Sequence, residues 1–338
     1  MSDLGKISVT HGGDWVSSTQ YEINTMVRHN GATYLSIKDS TGQEPAEDNT
    51  EYWKLIAKDG INLNHNISRL VPKDITAYYK DGSLWDRLEG RNGYKLFDDI
   101  FVGDYFQMNR AISAYNQDQT YQITGSDWVT IAGIDTMWGN GDNITIAYHH
   151  LVMVPGKGFG GIQHFGRSRM NPSHTTEGGY VGSEMYTTTI GAVVTEGSTE
   201  TTATINQQLY AEFGSHLKTT RELLSNSINA TGSNRFGADS GCANNWEWYN
   251  CQAVLMSEVE VYGSVVWASS GYDIGNANVQ LPLFANNTSA LNNRNAWYWL
   301  KSITSATYFC RSDSDGDSDY DGAGDASCYV RPRFVIAA

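Results

Sequence analysis

Positive charge is scarce in this chain. Of 338 residues, 23 are Lys or Arg against 37 Asp or Glu, giving a formal charge of -14. Nucleic acid phosphates and anionic lipid both need a basic face, so neither is an expected partner. Proline is limited to 6 residues and cysteine to 4. Cys242, Cys251, Cys310 and Cys328 all fall in the last third, none forms a CxxC, and no nearby histidine completes a zinc set. They read as scattered thiols of a reducing cytoplasm, with a Cys242–Cys251 disulfide as the alternative. No apolar run reaches bilayer-spanning length, and the opening "MSDLGKISVT" lacks the basic-then-apolar pattern of a secretory signal. The expectation is a soluble protein that is not exported by a cleaved signal and does not insert into membranes.

Motifs of catalysis are also lacking. "PGKGFGG" and "EGGYVGS" are glycine-rich, but neither ends in Gly-Lys-Ser/Thr nor fits a dinucleotide fingerprint, and both read as turns. There is no Gly-x-Ser-x-Gly elbow and no His-Glu-x-x-His. His149-His150, with Asp135 and Asp142 upstream, is a metal-site candidate. Neighbours in a strand point to opposite faces, however, so one core and one exposed histidine is the plainer expectation.

Glycine (34 residues) and aromatic residues (12%) are plentiful, while charged residues stop at 18%. That composition suits a rigid, loop-rich, strand-containing protein, long enough for one large domain and a small accessory one. Residues 15 to 57 form a compact β module in which "HNG" turns between two runs rich in β-branched and aromatic residues. So small a module has little core, and Trp15, Tyr21, Tyr34 and Trp53 carry much of it. The predicted organisation is a β module over 1–57, a polar connector over 58–80, and one domain over 81–338. In that domain "TINQQLYAEFGSHLKTTRELL" spaces Ile205, Leu209, Phe213 and Leu217 as a helix that Gly214 can interrupt. "DWVTIAGI", "NITIAYHHLVMV", "SEVEVYGSVVWA" and "CYVRPRFVIA" read as strands. A few helices on a strand-rich body make the fold class α+β.

The last quarter of the domain holds the densest chemistry. Asp317, Asp319, Asp321 and Gly322 match the opening of an EF-hand loop, but the twelfth position, where a bidentate Glu belongs, is Cys328. A looser calcium site on Asp317, Asp319 and Asp321 is the remaining metal reading; otherwise no cofactor is expected. Residues 302–329 contain no Glu, and nothing in the sequence nominates the pair of carboxylates that glycoside hydrolysis requires. The same segment also lacks Lys, Gln, Met and Trp. Every residue type it does contain is reachable from an asparagine codon, AAC or AAT, by changing adenines alone, whereas those five types are not.

Two resemblances follow from these residues. The spacing Trp, Tyr, Val, Asn-Gly-x-x-Tyr, Pro, Tyr-Trp over about forty N-terminal residues resembles carbohydrate-binding modules of the chitin-binding 5/12 type, with Asn24 where that family has glycine. It implies that Tyr34 or Trp53 stacks on a sugar, the alternative being that both are core. From Asp81 onward, "GSEMYTTTIGA", "FGSHLKTTRELLSN", "NWEWYNCQAVLMSEVEVYGSVVWASSGYD", "WYWLKS" and "VRPRF" look like the C-type-lectin-fold tail proteins of phages and prophages. In that family the C-terminal segment is rewritten by a diversity-generating retroelement. The fold also resembles formylglycine-generating enzymes, whose oxidase chemistry is not implied because their closely spaced cysteine pair is missing.

The second resemblance implies a non-enzymatic receptor-binding protein of the virion, assembled in the bacterial cytoplasm. Its implied partners are a host cell-surface protein or glycan, other phage tail proteins and two further copies in a homotrimer. It makes Trp297, Trp299, Leu300, Phe309, Val330, Pro332 and Phe334 scaffold. The displayed positions become Thr307, Tyr308, Arg311, Asp313, Asp315, Asp317, Asp319, Tyr320, Asp321, Asp325, Ser327 and Tyr329, with Asn292, Asn293 and Asn295 as further candidates. Such a surface should alternate by parity, buried rings inward and polar side chains outward. Its Tyr, Ser, Gly and Asp resemble a paratope composition. The alternatives are a solvated acidic loop without a partner, a calcium-stabilised structural protein, and a carbohydrate-active hydrolase anchored by the N-terminal module.

Overall fold

The computed structural model describes residues 9–29, 32–46, 49–58, 66–115, 125–137, 149–229, 243–268, 280–286 and 290–338. The chain divides into two compact units, residues 1–64 and 65–338.

The first unit is a four-stranded sheet in the order β1 (Thr10–Asp14), β3 (Thr25–His29), β4 (Ala32–Ser36), β6 (Trp53–Lys58). A small pair, β2 (Gln20–Tyr21) with β5 (Ser40–Thr41), accompanies it. β3 and β4 pair antiparallel with His29 opposite Ala32, the register of a two-residue hairpin connection. Its core is Tyr21, Val27, Ala32, Tyr34 and Trp53. Tyr21 meets Trp53 edge-on at 5.6 Å, and the Trp53 indole donates to the Gln43 carbonyl at 2.9 Å. Asn24 has φ 66°, the left-handed conformation that glycine supplies most readily and asparagine tolerates.

The second unit is built on a seven-stranded sheet and is mostly strand with a few short helices, an α+β fold. Its main path runs β11 (Leu217–Lys218), β18 (Pro332–Ala337), β9 (His150–Lys157), β8 (Ser126–Ile134), β7 (Tyr105–Ile112). β10 (Gly161–Ile162) adds to β9, and β14 (Ala253–Leu255) adds to β18. β18, the C-terminal strand, is buried along its whole length. That explains its run Phe334-Val335-Ile336-Ala337: a strand covered on both faces loses polar alternation.

α3 (Ile205–Phe213) buries Ile205, Leu209 and Phe213, and a Thr204/Gln207 capping box starts it. It stops at Gly214 (φ 56°), and Leu217 continues into strand instead. "RELL" therefore lies in β12 (Thr220–Ile228), which pairs with β13 (Ala243–Cys251). "SEVEVYG", read as strand from its alternating valines, is the helix α4 (Glu258–Tyr262). Its Ser257 and Glu260 form a capping box, and Gly263 closes it at φ 77°.

The predicted connector is only partly a connector. Its residues 66–80 belong to the second unit: Arg69 bonds both Asp99 and the buried Asp104, and α1 (Thr76–Lys80) inserts Tyr79 against Phe106 at 4.6 Å.

An ion network crosses the core beside β18. The guanidinium of Arg333 forks onto Glu222 at 2.7 and 3.0 Å and also bonds Glu260, which Lys301 approaches at 3.3 Å. All four side chains are buried. Two cations against two anions cancel, which makes their removal from water tolerable. Burial alone would raise the Glu222 carboxyl, but Arg333, Lys301 and the Thr220 hydroxyl together outweigh it and hold the group at about 2.

Candidate functional site

The strand β15 (Tyr298–Ile303) is buried throughout, whereas β16 (Tyr308–Ser312) and β17 (Ser318–Gly322), paired beside it, carry exposed side chains. β16 is the middle strand, with Arg311 opposite Asp319 and Cys310 opposite Tyr320. Most of residues 302–329 thus forms a hairpin paired beside a buried strand.

Trp299 anchors that base. It is fully buried, and its indole N–H donates to the Ser168 carbonyl at 2.7 Å. Phe309, Val330 and Phe334 are buried as well. Leu300 and Pro332 share that environment. Trp297 does not: it is 41% exposed, with the Arg311 guanidinium 4.7 Å above its ring, so it belongs to the surface and not to the scaffold. Asn293 is the reverse correction. It is buried, donating to the Leu283 carbonyl at 3.1 Å, while Asn292 and Asn295 are exposed.

The displayed set is not sorted by parity. Pairing places Tyr308 and Tyr320 on one face of the hairpin, and Phe309, Arg311, Asp319 and Asp321 on the other. Both neighbours Phe309 and Cys310 are buried, because the middle strand is covered from two sides. Tyr308, Asp315, Asp317 and Tyr320 are exposed, and Thr307, Arg311, Asp313, Asp319, Asp321, Asp325, Ser327 and Tyr329 are half-buried.

Several of the half-buried residues have structural work. The Asp313 carboxylate accepts the N–H of Asp315 at 2.8 Å and of Asp317 at 3.1 Å, shaping the hairpin turn around Gly316 at φ 86°. Tyr329 stacks on His164 with ring centroids 3.6 Å apart and accepts from Arg167 at 2.7 Å, so its ring is clamped. Burial, then Arg167 and Arg331, hold His164 down at about 4, and the imidazole is neutral. Ser327 donates to Asp321 at 3.3 Å.

The carboxylates of the calcium reading lie on two elements. Asp319 and Asp321 sit on β17 facing the Arg311 guanidinium, at 2.7 and 3.6 Å, and Asp317 lies in the turn. Among the described residues no group of three or more His, Cys, Asp or Glu is placed to hold a metal ion. Asp135 receives both histidines of the other metal candidate, His149 at 3.1 Å and the backbone N–H of His150 at 2.7 Å. His150 is buried and His149 half-exposed. Asp142 and Cys242 lie outside the described residues. Cys251, Cys310 and Cys328 are buried, and the Cys242–Cys251 pairing rests on a residue outside the described ones.

Trp267, His174 and Glu258 at this surface were not legible in the sequence. Trp267 meets Tyr320 edge-on at 5.0 Å, and Tyr320 meets Tyr308 at 5.3 Å. Trp267 is tied down by its indole N–H to the Ser318 carbonyl at 2.8 Å. The buried Glu258 accepts the backbone N–H groups of Val266, Trp267 and Ala268 at 3.0, 2.9 and 2.7 Å, and the Ser318 hydroxyl at 2.5 Å. One carboxylate thus joins the Trp267 loop to β17. At the other end Gly322 lies opposite Tyr308, and a side chain there would collide with His174 and Asp325.

In the first unit Tyr34 and Trp53 are 5% and 2% exposed. Neither offers a ring face to a sugar, which corrects the stacking role expected from the N-terminal resemblance.

No helix among the described residues is long and apolar enough to cross a membrane. No protein-family model, curated protein or solved structure matches the chain.

Proposed function

We propose that this chain is an adhesin: a phage tail receptor-binding protein whose β16–β17 hairpin contacts a host cell-surface receptor. The observation that carries the reading is the contrast between neighbouring strands. β15 and β18 are buried end to end, while β16 and β17 expose Tyr308, Tyr320 and the acidic turn. Substitution at the exposed positions leaves the packed scaffold alone, as a surface under diversification requires. The residue types of 302–329, all within reach of an asparagine codon by adenine changes, cover the same hairpin and support a diversity-generating retroelement as its source. The finer fold assignment, a C-type lectin domain, belongs to this proposal, as do a homotrimer, assembly with other tail proteins and a place in the virion. Avidity from several copies raises a weak single-site affinity by orders of magnitude.

No reaction is assigned to the chain. In the hairpin region Asp321 and Asp325 form a close carboxyl pair, where burial and a hydrogen bond from one to the other raise Asp325. Two carboxyls within hydrogen-bonding reach leave no room between them for the roughly 5 Å or wider gap that glycoside hydrolysis uses.

The test is binding of the intact protein to a panel of bacteria. Replacing Tyr308, Asp317 and Tyr320 together with Ala should abolish binding to any strain the parent binds, with Tm within a few degrees of the parent. Unaltered binding, or sustained release of reducing ends from host polysaccharide by the parent protein, would displace the reading.

A further inference from the structure

We infer that the ligand of this hairpin is a neutral glycan, stacked on the ring row Trp267, Tyr320 and Tyr308 and hydrogen-bonded at its end by His174 and Asp325. The inference rests on the adhesion reading and names the chemistry of the partner.

Spacing is the first argument. The centroids are 5.0 and 5.3 Å apart, close to the advance of one pyranose along an oligosaccharide, and successive rings meet edge-on at 68° and 67°. Tyr308 and Tyr320 are 41% and 37% exposed. The exposed parts of the two tyrosine rings offer apolar surface and a hydroxyl each, which suits the apolar face and hydroxyl edge of a sugar. A protein partner of ordinary affinity requires a broader patch, roughly 800 Å² on each side with an apolar centre.

The polar end is the second. Gly322 has no side chain, and a Cβ there would stand 2.2 Å from His174 Nδ1 and 2.7 Å from Asp325 Oδ2. The imidazole and the carboxyl therefore occupy the space over this glycine, beside Tyr308. They are 4.0 Å from each other and roughly half exposed, at 57% and 44%. An imidazole and a carboxyl together donate to and accept from hydroxyl groups, which is the bonding a sugar edge needs.

Charge selects the neutral class. Arg311 is on the opposite face of the hairpin and engages Asp319 and Asp321. The turn exposes Asp315 and Asp317, and the whole chain carries -14. An anionic saccharide would meet repulsion here. Trp267 and His174 lie outside residues 302–329. They give the surface a constant grip on sugar rings while the hairpin between them changes, and Glu258 acts as a positioning residue by holding the Trp267 loop.

The experiment takes a strain that the intact protein binds and treats its cells with periodate, which cleaves vicinal diols, or with protease. Periodate should lower bound protein by about tenfold or more, and protease should leave it unchanged. The neutral fraction of polysaccharide extracted from that strain should compete, and the acidic fraction should not. The Tyr308→Ala/Tyr320→Ala double variant should lose binding by a similar factor at unchanged Tm, and Trp248→Ala, a ring exposed on β13, should bind as the parent does. Binding that survives periodate but not protease overturns the glycan while leaving adhesion in place, and so does competition by the acidic fraction alone. Periodate-sensitive binding that ignores the double variant places the sugar elsewhere and also overturns the inference. Failure of the parent to bind any strain of the panel removes the adhesion reading, and this inference with it.

Discussion

Asp313 shows how far composition can mislead about a single residue. It belongs to a row of similar aspartates, yet it alone accepts two backbone N–H groups of the turn. Asp313→Ala should cost about 1 kcal/mol by removing the two hydrogen bonds that shape the turn, while Asp315→Ala, exposed at the tip, should stay within about 0.5 kcal/mol; urea unfolding of both variants distinguishes them. Trp299 is the opposite kind of residue. Trp299→Ala should lower stability by about 3 to 5 kcal/mol, read as a fall in urea midpoint at unchanged slope. A neutral result would mean that the scaffold and display assignments are exchanged. Trp297, two residues earlier and equally aromatic, is at the surface over Arg311. The family resemblance placed both tryptophans in the scaffold. Only where the strand begins, at Tyr298, decides between them.

At the scale of elements, strands with strong period-2 or fully apolar character were legible, as β8 and β18 are, and so was the end of α3 at Gly214. α4 was not, although its signal was present. Val259 and Val261 alternate as in a strand, and the Ser257-x-x-Glu260 capping box that overrides them is four residues long. Ser257→Ala should cost about 1 kcal/mol through the lost cap, measurable by thermal unfolding. The hairpin itself was legible as a polar, variable-looking segment, but its two-faced character was not. Which side of a middle strand is covered depends on Trp267, Glu258 and His174, which lie 41 or more residues away from the hairpin in sequence. Sequence spacing carries no trace of such contacts, since they are set by how the Val266–Ala268 loop folds back onto β17.

Across the whole molecule the two units differ in what holds them. The first rests on a small ring core, and the second on a large apolar core crossed by the Glu222–Arg333–Glu260–Lys301 network. The sequence "VRPRF" resembled a family terminus, but nothing in it showed that Arg333 is buried with two glutamates from distant elements. Arg333→Met should destabilise by about 3 to 5 kcal/mol, because two carboxylates are left buried without their fork. The network also fixes an acid limit. Glu222 and Glu260 are both held below their ordinary value, so their contribution is present above the unfolded carboxyl value of about 4.3 and is lost as pH falls toward about 2. Stability measured between pH 6 and pH 2 should decline most steeply below pH ~4, and Glu222→Gln should flatten that decline. Millimolar calcium should leave Tm unchanged, since Asp319 and Asp321 already face Arg311.

The central claim is that one hairpin is free to change while the fold beneath it is not. Deep sequencing of this gene across a replicating population of its source tests that claim most directly. The account predicts substitutions concentrated between Ser302 and Tyr329, heaviest at Tyr308, Asp315, Asp317 and Tyr320, with Trp299, Trp267, Glu258 and Arg333 unchanged. Substitutions spread evenly over the gene, or falling as often on buried β15 as on exposed β17, would contradict it.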